Sequence, residues 1–251
     1  MDILEAIHTR ISCRAFTGKP VEQEKIDILA EEIRLVNAES GLNFQLYGPR
    51  GNGDSTALDM SAKMFAGNPP LYMALVGPED PISQEKVGYY GEGLVLLATQ
   101  LGLNTCWVAS TYDQSTTRAE LGEGDKLHDV VPIGYAPEKI PIKQRTIRSG
   151  LRARSKKATE LWQGPVPLAE SPAWIQECIE AVMQAPSAVN EQPVVFVRET
   201  LDQPICAKLI RVKTGQEYTD LGIAKLHFEL VAAMHGIDAA WEWGDGGAFS
   251  K

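Results

Sequence analysis

Two clusters of side chains at opposite ends of a 251-residue chain could hold a phosphorylated, planar ligand. The first is Arg10-Ile-Ser-Cys-Arg-Ala-Phe16. It offers the guanidiniums of Arg10 and Arg14 and the hydroxyl of Ser12 within five residues. Planar, forked donors of this kind clamp phosphate oxygens through charge-assisted hydrogen bonds. The second is Ala185-Pro-Ser-Ala-Val-Asn-Glu-Gln-Pro193. Its Pro186 turn, the Ser187 hydroxyl, small Ala188 and the amides of Asn190 and Gln192 suit the polar edge of a flat ligand, since amides both donate and accept. Chemistry that needs both clusters forces the two ends of the chain together.

The bulk properties are those of an ordinary globular protein, with 44% hydrophobic and 23% charged residues. A formal net charge of -9 repels nucleic acid and anionic membranes, so neither is expected as a partner. The start Met1-Asp-Ile-Leu-Glu5 has no basic n-region, and the most apolar stretch, 93–109, is interrupted by Thr99, Gln100, Asn104 and Thr105. Cys13, Cys106, Cys178 and Cys206 have no paired spacing. A cytoplasmic protein with free thiols is the expectation.

The elements that must position the two clusters follow from periodicity. Apolar residues at Ile26, Leu29, Ile33 and Val36 predict a helix over 21–36, with Glu22 and Glu24 in its first turn. Leu42–Tyr47 alternates as a strand, and 48–54 reads as a loop whose Asp54 excludes a phosphate-binding P-loop. A strand is predicted at 71–76 and a helix at 86–101 ending at Gly102. Strands follow at 105–109 and 130–135. Between Lys139 and Lys157 six basic residues occur with no acid, running on to Pro165, Pro167 and Pro172 as an apparent connector. The pattern then restarts, with a helix at 174–184, a strand at 194–197, a helix through Leu221, Phe228 and Val231 to Gly236, and a strand at 239–243.

The two glycine-terminated helices share residues at one offset. Gly88, Leu96, Ala98, Gly102 and Trp107 match Gly222, Leu230, Ala232, Gly236 and Trp241. With the repeated element order, this predicts two related half-units, the second shorter. The expected layout is residues 1–137, a connector at 138–172, and 173–251.

The motifs resemble those of the nitroreductase-like flavoproteins. Arg10, Ser12, Arg14 and Phe16, then Pro20-Val21, match the family's opening pattern, and Ala185–Pro193 matches its Ala-Pro-Ser-x-x-Asn-x-Gln-Pro motif in full. Ile133-Gly-Tyr135 followed by Lys143 and Arg145 is similar to the family's phosphate-gripping C-terminal pattern. In most members the second motif lies a few tens of residues after the first. The wide separation here resembles the tandem branch, in which one chain forms a pseudo-dimer.

That resemblance implies an α+β, three-layer α-β-α nitroreductase-like fold with two diverged half-units. It implies one FMN per chain. Arg10, Ser12, Arg14, Lys143 and Arg145 would serve the phosphate, Pro186, Ser187, Ala188, Asn190 and Gln192 the ring, and the Ala109–Ser110 backbone its reactive nitrogen edge. No catalytic side chain is required, because the flavin carries the chemistry while the protein binds and tunes it. NADH or NADPH would be the donor, and a nitroaromatic, quinone or similar small molecule the acceptor, in ping-pong turnover by a monomer. A nicotinamide-independent oxidase or dehalogenase and a flavin-binding sensor are the alternatives.

Other candidates read as structural. His227 and His235 are two turns apart, not the one-turn spacing of a metal-binding helix pair, so no metal is expected. Cys106 in an apolar strand reads as core, and Cys13 carries only a small prospect of redox chemistry beside Arg14.

Overall fold

The computed structural model describes all residues except 51–55, 63 and 212. The expected 48–54 loop therefore lies in large part outside the described residues. Two compact units interleave along the chain. The first comprises Met1–Asp2, Thr9–Glu79 and Leu94–Gly150; the second comprises Ile3–His8, Asp80–Gly93 and Leu151–Lys251. The expected layout cut the chain in sequential order, whereas these units exchange short segments.

After helix α1 (Ile3–Thr9), α2 (Gln23–Ser40) buries Leu29, Ile33 and Val36 and ends at Gly41. Gly41 takes the left-handed conformation, φ 75°, that glycine adopts at little cost. The Asn37 side chain then accepts from Phe44 N (2.8 Å) and donates to Phe44 O (2.9 Å). Those bonds occupy the Phe44 backbone, so strand β1 (Gln45–Tyr47) starts later than the alternation from Leu42 predicts. Strand β2 (Leu71–Pro78) is buried through Gly77, as befits a central strand. Helix α3 (Pro81–Gln100), β3 (Asn104–Thr105) and β4 (Asp125–Gly134) follow. The first sheet runs β1-β2-β4-β3, antiparallel throughout. The predicted 105–109 strand shrinks to β3, with Val108 forming a separate bridge to Val130.

The expected connector contains regular structure. Helix α4 (Ile142–Arg152) begins where the Pro141 carbonyl accepts Gln144 N and Arg145 N. Only Gln144 is buried on it, so it carries no apolar stripe for a periodicity reading to detect. Gln144 Nε2 donates to Met64 O (3.0 Å) and Lys143 Nζ to Ala62 O (3.0 Å), tethering the helix through polar contacts.

In the second unit, β5 (Trp162–Gln163), α5 (Ala173–Gln184), β6 (Val194–Val197), β7 (Ile205–Leu209), α6 (Glu217–Met234), β8 (Ala240–Trp241) and β9 (Ala248–Ser250) follow in order. Its sheet runs β5-β6-β7-β9-β8. Phe228 stacks on Phe196 (centroids 4.9 Å) and meets Trp241, Phe249 and Trp174 edge-on, forming an aromatic core.

The two sheets repeat one plan. Helix, strand, strand, helix, strand, strand describes both α2-β1-β2-α3-β3-β4 and α5-β6-β7-α6-β8-β9. In each the strand order is first-second-fourth-third with every pair antiparallel, and β5 is an addition, parallel to β6. Helices α3 and α6 also end alike. Gly102 N bonds Thr99 O and Leu103 N bonds Ala98 O; Gly236 N bonds Ala233 O and Ile237 N bonds Ala232 O. Both are Schellman caps, with φ of 76° and 73° at the glycines.

Helix α6 crosses the Pro81–Gly93 part of α3 at two glycines. A Cβ on Gly88 would overlap the Thr219 carbonyl, and one on Gly222 the Glu85 carbonyl. Both contacts are backbone on backbone, and only residues without a side chain permit that approach.

Candidate functional site

In the first unit, Arg10–Phe16 is an extended segment pinned by backbone bonds. Cys13 N donates to Thr105 O (2.7 Å), Ala66 N to Arg14 O (2.9 Å) and Phe16 N to Ala66 O (2.9 Å). Successive side chains of an extended segment alternate in direction. Cys13 and Ala15 accordingly turn inward and are buried, while Arg10, Ser12 and Arg14 share the other, half-exposed side. Gly67, at φ 72°, lets the turn after Ala66 close on the Phe16 carbonyl, which a Cβ there would overlap.

Burial raises the pKa of the Cys106 thiol, while the Arg14 and Arg10 guanidiniums and a Ser12 hydrogen bond act against that rise. All three groups thus bear on the titration of one buried thiol. Cys13 is no thiolate: burial pushes it up to about 11, and its Sγ donates to Ala15 O (3.0 Å). Ala109 and Ser110 follow Val108 in a bend, half-buried and exposed respectively. Lys143 and Arg145 lie in the first turn of α4, Lys143 on the Ala62 carbonyl and Arg145 exposed.

In the second unit the Ala185–Pro193 loop follows α5 through a turn at Ala188–Asn190. Val189 (φ 45°), Asn190 (φ 58°) and Gln192 (φ 46°) all occupy the left-handed region. For β-branched Val189 this is a genuine strain, of order 1–3 kcal/mol, and such strain persists only where surroundings over-determine it. The surroundings here are hydrogen bonds. Ala188 N donates to Asp220 Oδ1 (2.9 Å) and Gln192 N to Ser187 Oγ (2.9 Å). Asn190 Nδ2 donates to Leu151 O (2.9 Å) and Ser155 Oγ (3.0 Å). Buried Gln192 accepts Lys156 N at Oε1 (2.7 Å) and donates from Nε2 to Met183 O (3.2 Å).

The amides of the motif are therefore largely committed to holding residues 151–156 and the end of α5. What remains for a ligand is the Ser187 hydroxyl proton, the Asn190 Oδ1 and the face of Pro186. Pro186 and Ser187 line a narrow cleft with Leu161, Val182 and Ala224. Sequence reading missed Lys156 and Asp220. Lys156 was hidden in a basic run, and Asp220 in the first turn of a helix, where acids are common.

His227 is fully buried between Ala181 O (3.1 Å) and Glu92 Oε1 (3.0 Å), and His235 meets Glu177 Oε2 (2.9 Å) at a partly exposed position. Among the described residues no three His, Cys, Asp or Glu side chains converge to hold a metal ion. No helix there is long and apolar enough to cross a membrane.

The profile of the family described as "Putative TM nitroreductase" matches residues 2–232. The chain belongs to that family. Among solved structures, a "putative nitroreductase" of Thermotoga maritima is 20% identical with a TM-score of 0.62, covering 99% of this chain and 92% of its own. The fold of this family member is therefore nitroreductase-like. An FMN-bound nitroreductase of Bacteroides fragilis is 16% identical (TM-score 0.43) over 57% of this chain and 92% of its own. An FMN-dependent nitroreductase of Clostridium difficile is 19% identical (TM-score 0.40) over 55% and 89%. No curated protein matches the chain.

Proposed function

We propose that this family member is an FMN-dependent oxidoreductase that takes reducing equivalents from NADH or NADPH and delivers them to a nitroaromatic, quinone or similar small acceptor. The observation that carries the reading is that Arg10, Ser12 and Arg14 share one half-exposed side of an extended segment pinned to Thr105 and Ala66, in a chain of nitroreductase family. FMN, when bound, supplies the two-electron chemistry. Arg10 and Arg14 fit its phosphate, because both lie on one side of an extended segment and guanidiniums form charge-assisted bonds to phosphate oxygens. Ser12 adds a hydroxyl, and Arg145 is exposed and able to reach an anion. Lys143 fits less well, since its ammonium is held by Ala62 O. In the second unit, Pro186, Ser187, Ala188 and Asn190 are offered to the ring system, with Gln192 acting behind them as the brace of the loop. The Ala109–Ser110 backbone is assigned to the reactive edge. Donor and acceptor bind in turn, giving ping-pong kinetics, and no side chain is assigned as acid or base.

We also infer an internal duplication in which one chain does the work of a dimer, with one flavin per chain. Three observations support it: the repeated element and strand order, the matched Schellman caps, and the reciprocal glycine crossing. At the offset of the cap glycines (236 against 102), Gly88 corresponds to Gly222 and Glu85 to Thr219. Gly88 meets Thr219 and Gly222 meets Glu85, so the crossing maps onto itself as an isologous contact does.

The test is an absorbance spectrum of the purified chain followed by anaerobic addition of NADH and, separately, NADPH. Flavin absorbance that bleaches with either donor is expected. A colourless protein that cannot be reconstituted with FMN overturns the cofactor assignment. Bound flavin that neither donor bleaches overturns the nicotinamide assignment alone.

A further inference from the structure

The second unit holds a cavity of about 190 Å3 whose chemistry the flavin reading does not use. Two chain segments bring cations to it: Lys156, after α4, and Arg211 and Lys213, after β7. Pro193 and Ile210 supply apolar wall, and Ile210 is 51% exposed with no core to fill.

Carboxylates also border the cavity, two engaged by backbone N–H groups and the third loosely paired with one of its cations. Glu217 accepts the backbone N–H groups of Lys213 and Thr214 and the Thr214 hydroxyl. Asp220 Oδ1 accepts Ala188 N, and Glu191 reaches Arg211 only at 3.9 Å. The cations are freer. The Lys213 ammonium makes no hydrogen bond or ion pair among the described residues. Lys156 Nζ gives one hydrogen bond, to Gln192 O (2.6 Å), and keeps two N–H groups for another acceptor. Burial lowers the pKa of Lys156, a cost that an added anion would offset.

We propose that this cavity binds a small organic anion, a carboxylate or phosphate head on Lys156, Lys213 and Arg211 with an apolar body against Pro193 and Ile210. A concave, partly apolar pocket with a few convergent donors is the usual form of a small-molecule site. The occupant would also act on the strained loop, because Lys156 is bonded through both its backbone N and its Nζ to Gln192.

The experiment follows thermal unfolding of the full chain with benzoate, phenyl phosphate, benzyl alcohol and inorganic phosphate as probes. A saturable rise in Tm with benzoate or phenyl phosphate is expected, and which of them acts at lower concentration tells carboxylate from phosphate. Lys213→Met should weaken that binding roughly 10-fold or more, as loss of a charge-assisted hydrogen bond does. Lys156→Met should do the same. Should that variant fail to fold because it frees the Gln192 loop, exposed Arg211→Met takes its place. No shift with either aromatic anion overturns the site. So does an equal shift with benzyl alcohol or inorganic phosphate, or an unchanged affinity in Lys213→Met.

Discussion

At the scale of single residues, the most consequential side chain outside the candidate site is Asp129. It lies on β4, 3% exposed, and its Oδ2 has no hydrogen-bond partner among the described residues. Burial pushes its pKa up to about 8, with Lys126 opposing, and its charge in turn helps to raise that of Tyr112. A carboxyl whose folded pKa lies above its unfolded one stabilises the fold while both states are protonated. That contribution is lost as pH climbs from about 4 through 8, to a total of about 5 kcal/mol. Asp129→Asn should therefore match the wild type near pH 4 and exceed it in denaturant midpoint at pH 8–9. Equal midpoints at alkaline pH would show that Asp129 ionises in place without cost. Arg14 invites the complementary experiment on ligand binding. Arg14→Ala removes one charge-assisted contact, on the order of 1.5–3 kcal/mol, so FMN dissociation constants should rise roughly 10- to 150-fold. Fluorescence titration of the flavin-free protein reads this directly, and unchanged affinity would remove Arg14 from the phosphate set.

At the scale of elements, the α3–α6 crossing gives the sharpest prediction. Gly88→Ala or Gly222→Ala drives a methyl group into a backbone carbonyl, a clash that side-chain repacking cannot relieve. Each should lower stability by at least about 1–3 kcal/mol in urea unfolding. Gly150→Ala is the control, because nothing lies within 4 Å of its added Cβ. Within α4 that change should be neutral or stabilising by about 0.5–1 kcal/mol. A Gly88→Ala variant as stable as the control would disprove the close approach. The same elements show what a sequence can and cannot disclose. Helices α2, α3 and α6 were legible because apolar spacing and a closing glycine mark them. Strands β5 and β9 are too short to show alternation, and β3 and β8 are shorter than the strands predicted at 105–109 and 239–243. Helix α4 escaped because its buried residue is Gln144, a polar anchor. At the motif loop the residue types do not disclose the backbone, because a left-handed Val189 contradicts local preference and is imposed by tertiary hydrogen bonds. For the same reason the commitment of Asn190 and Gln192 to residues 151–156 could not be read from their types, which suit a ligand equally well.

At the scale of the whole molecule, the duplication reading makes a stoichiometric claim. Native mass spectrometry of the flavin-loaded protein should show one FMN per chain. Two FMN per chain would mean that both halves kept complete sites. The repeat also has a consequence for how such a molecule can change. In an assembly of identical subunits, every substitution is made at both symmetry-related positions. On the duplication reading proposed above, a fused repeat is released from that rule, and the buried polar contacts of the second unit are of the kind such release permits. Lys225 and Glu85, both 0% exposed, are paired, with Lys225 also donating to Glu242 O (2.8 Å) and Gly244 O (3.0 Å). Their images across the repeat are Gly91 and Thr219, which can form no such pair. An interaction that identical subunits would have to carry twice, with two desolvated charges in each subunit, occurs once among the described residues. On that reading fusion gives each half its own evolutionary freedom, and asymmetry becomes something selection can act on position by position.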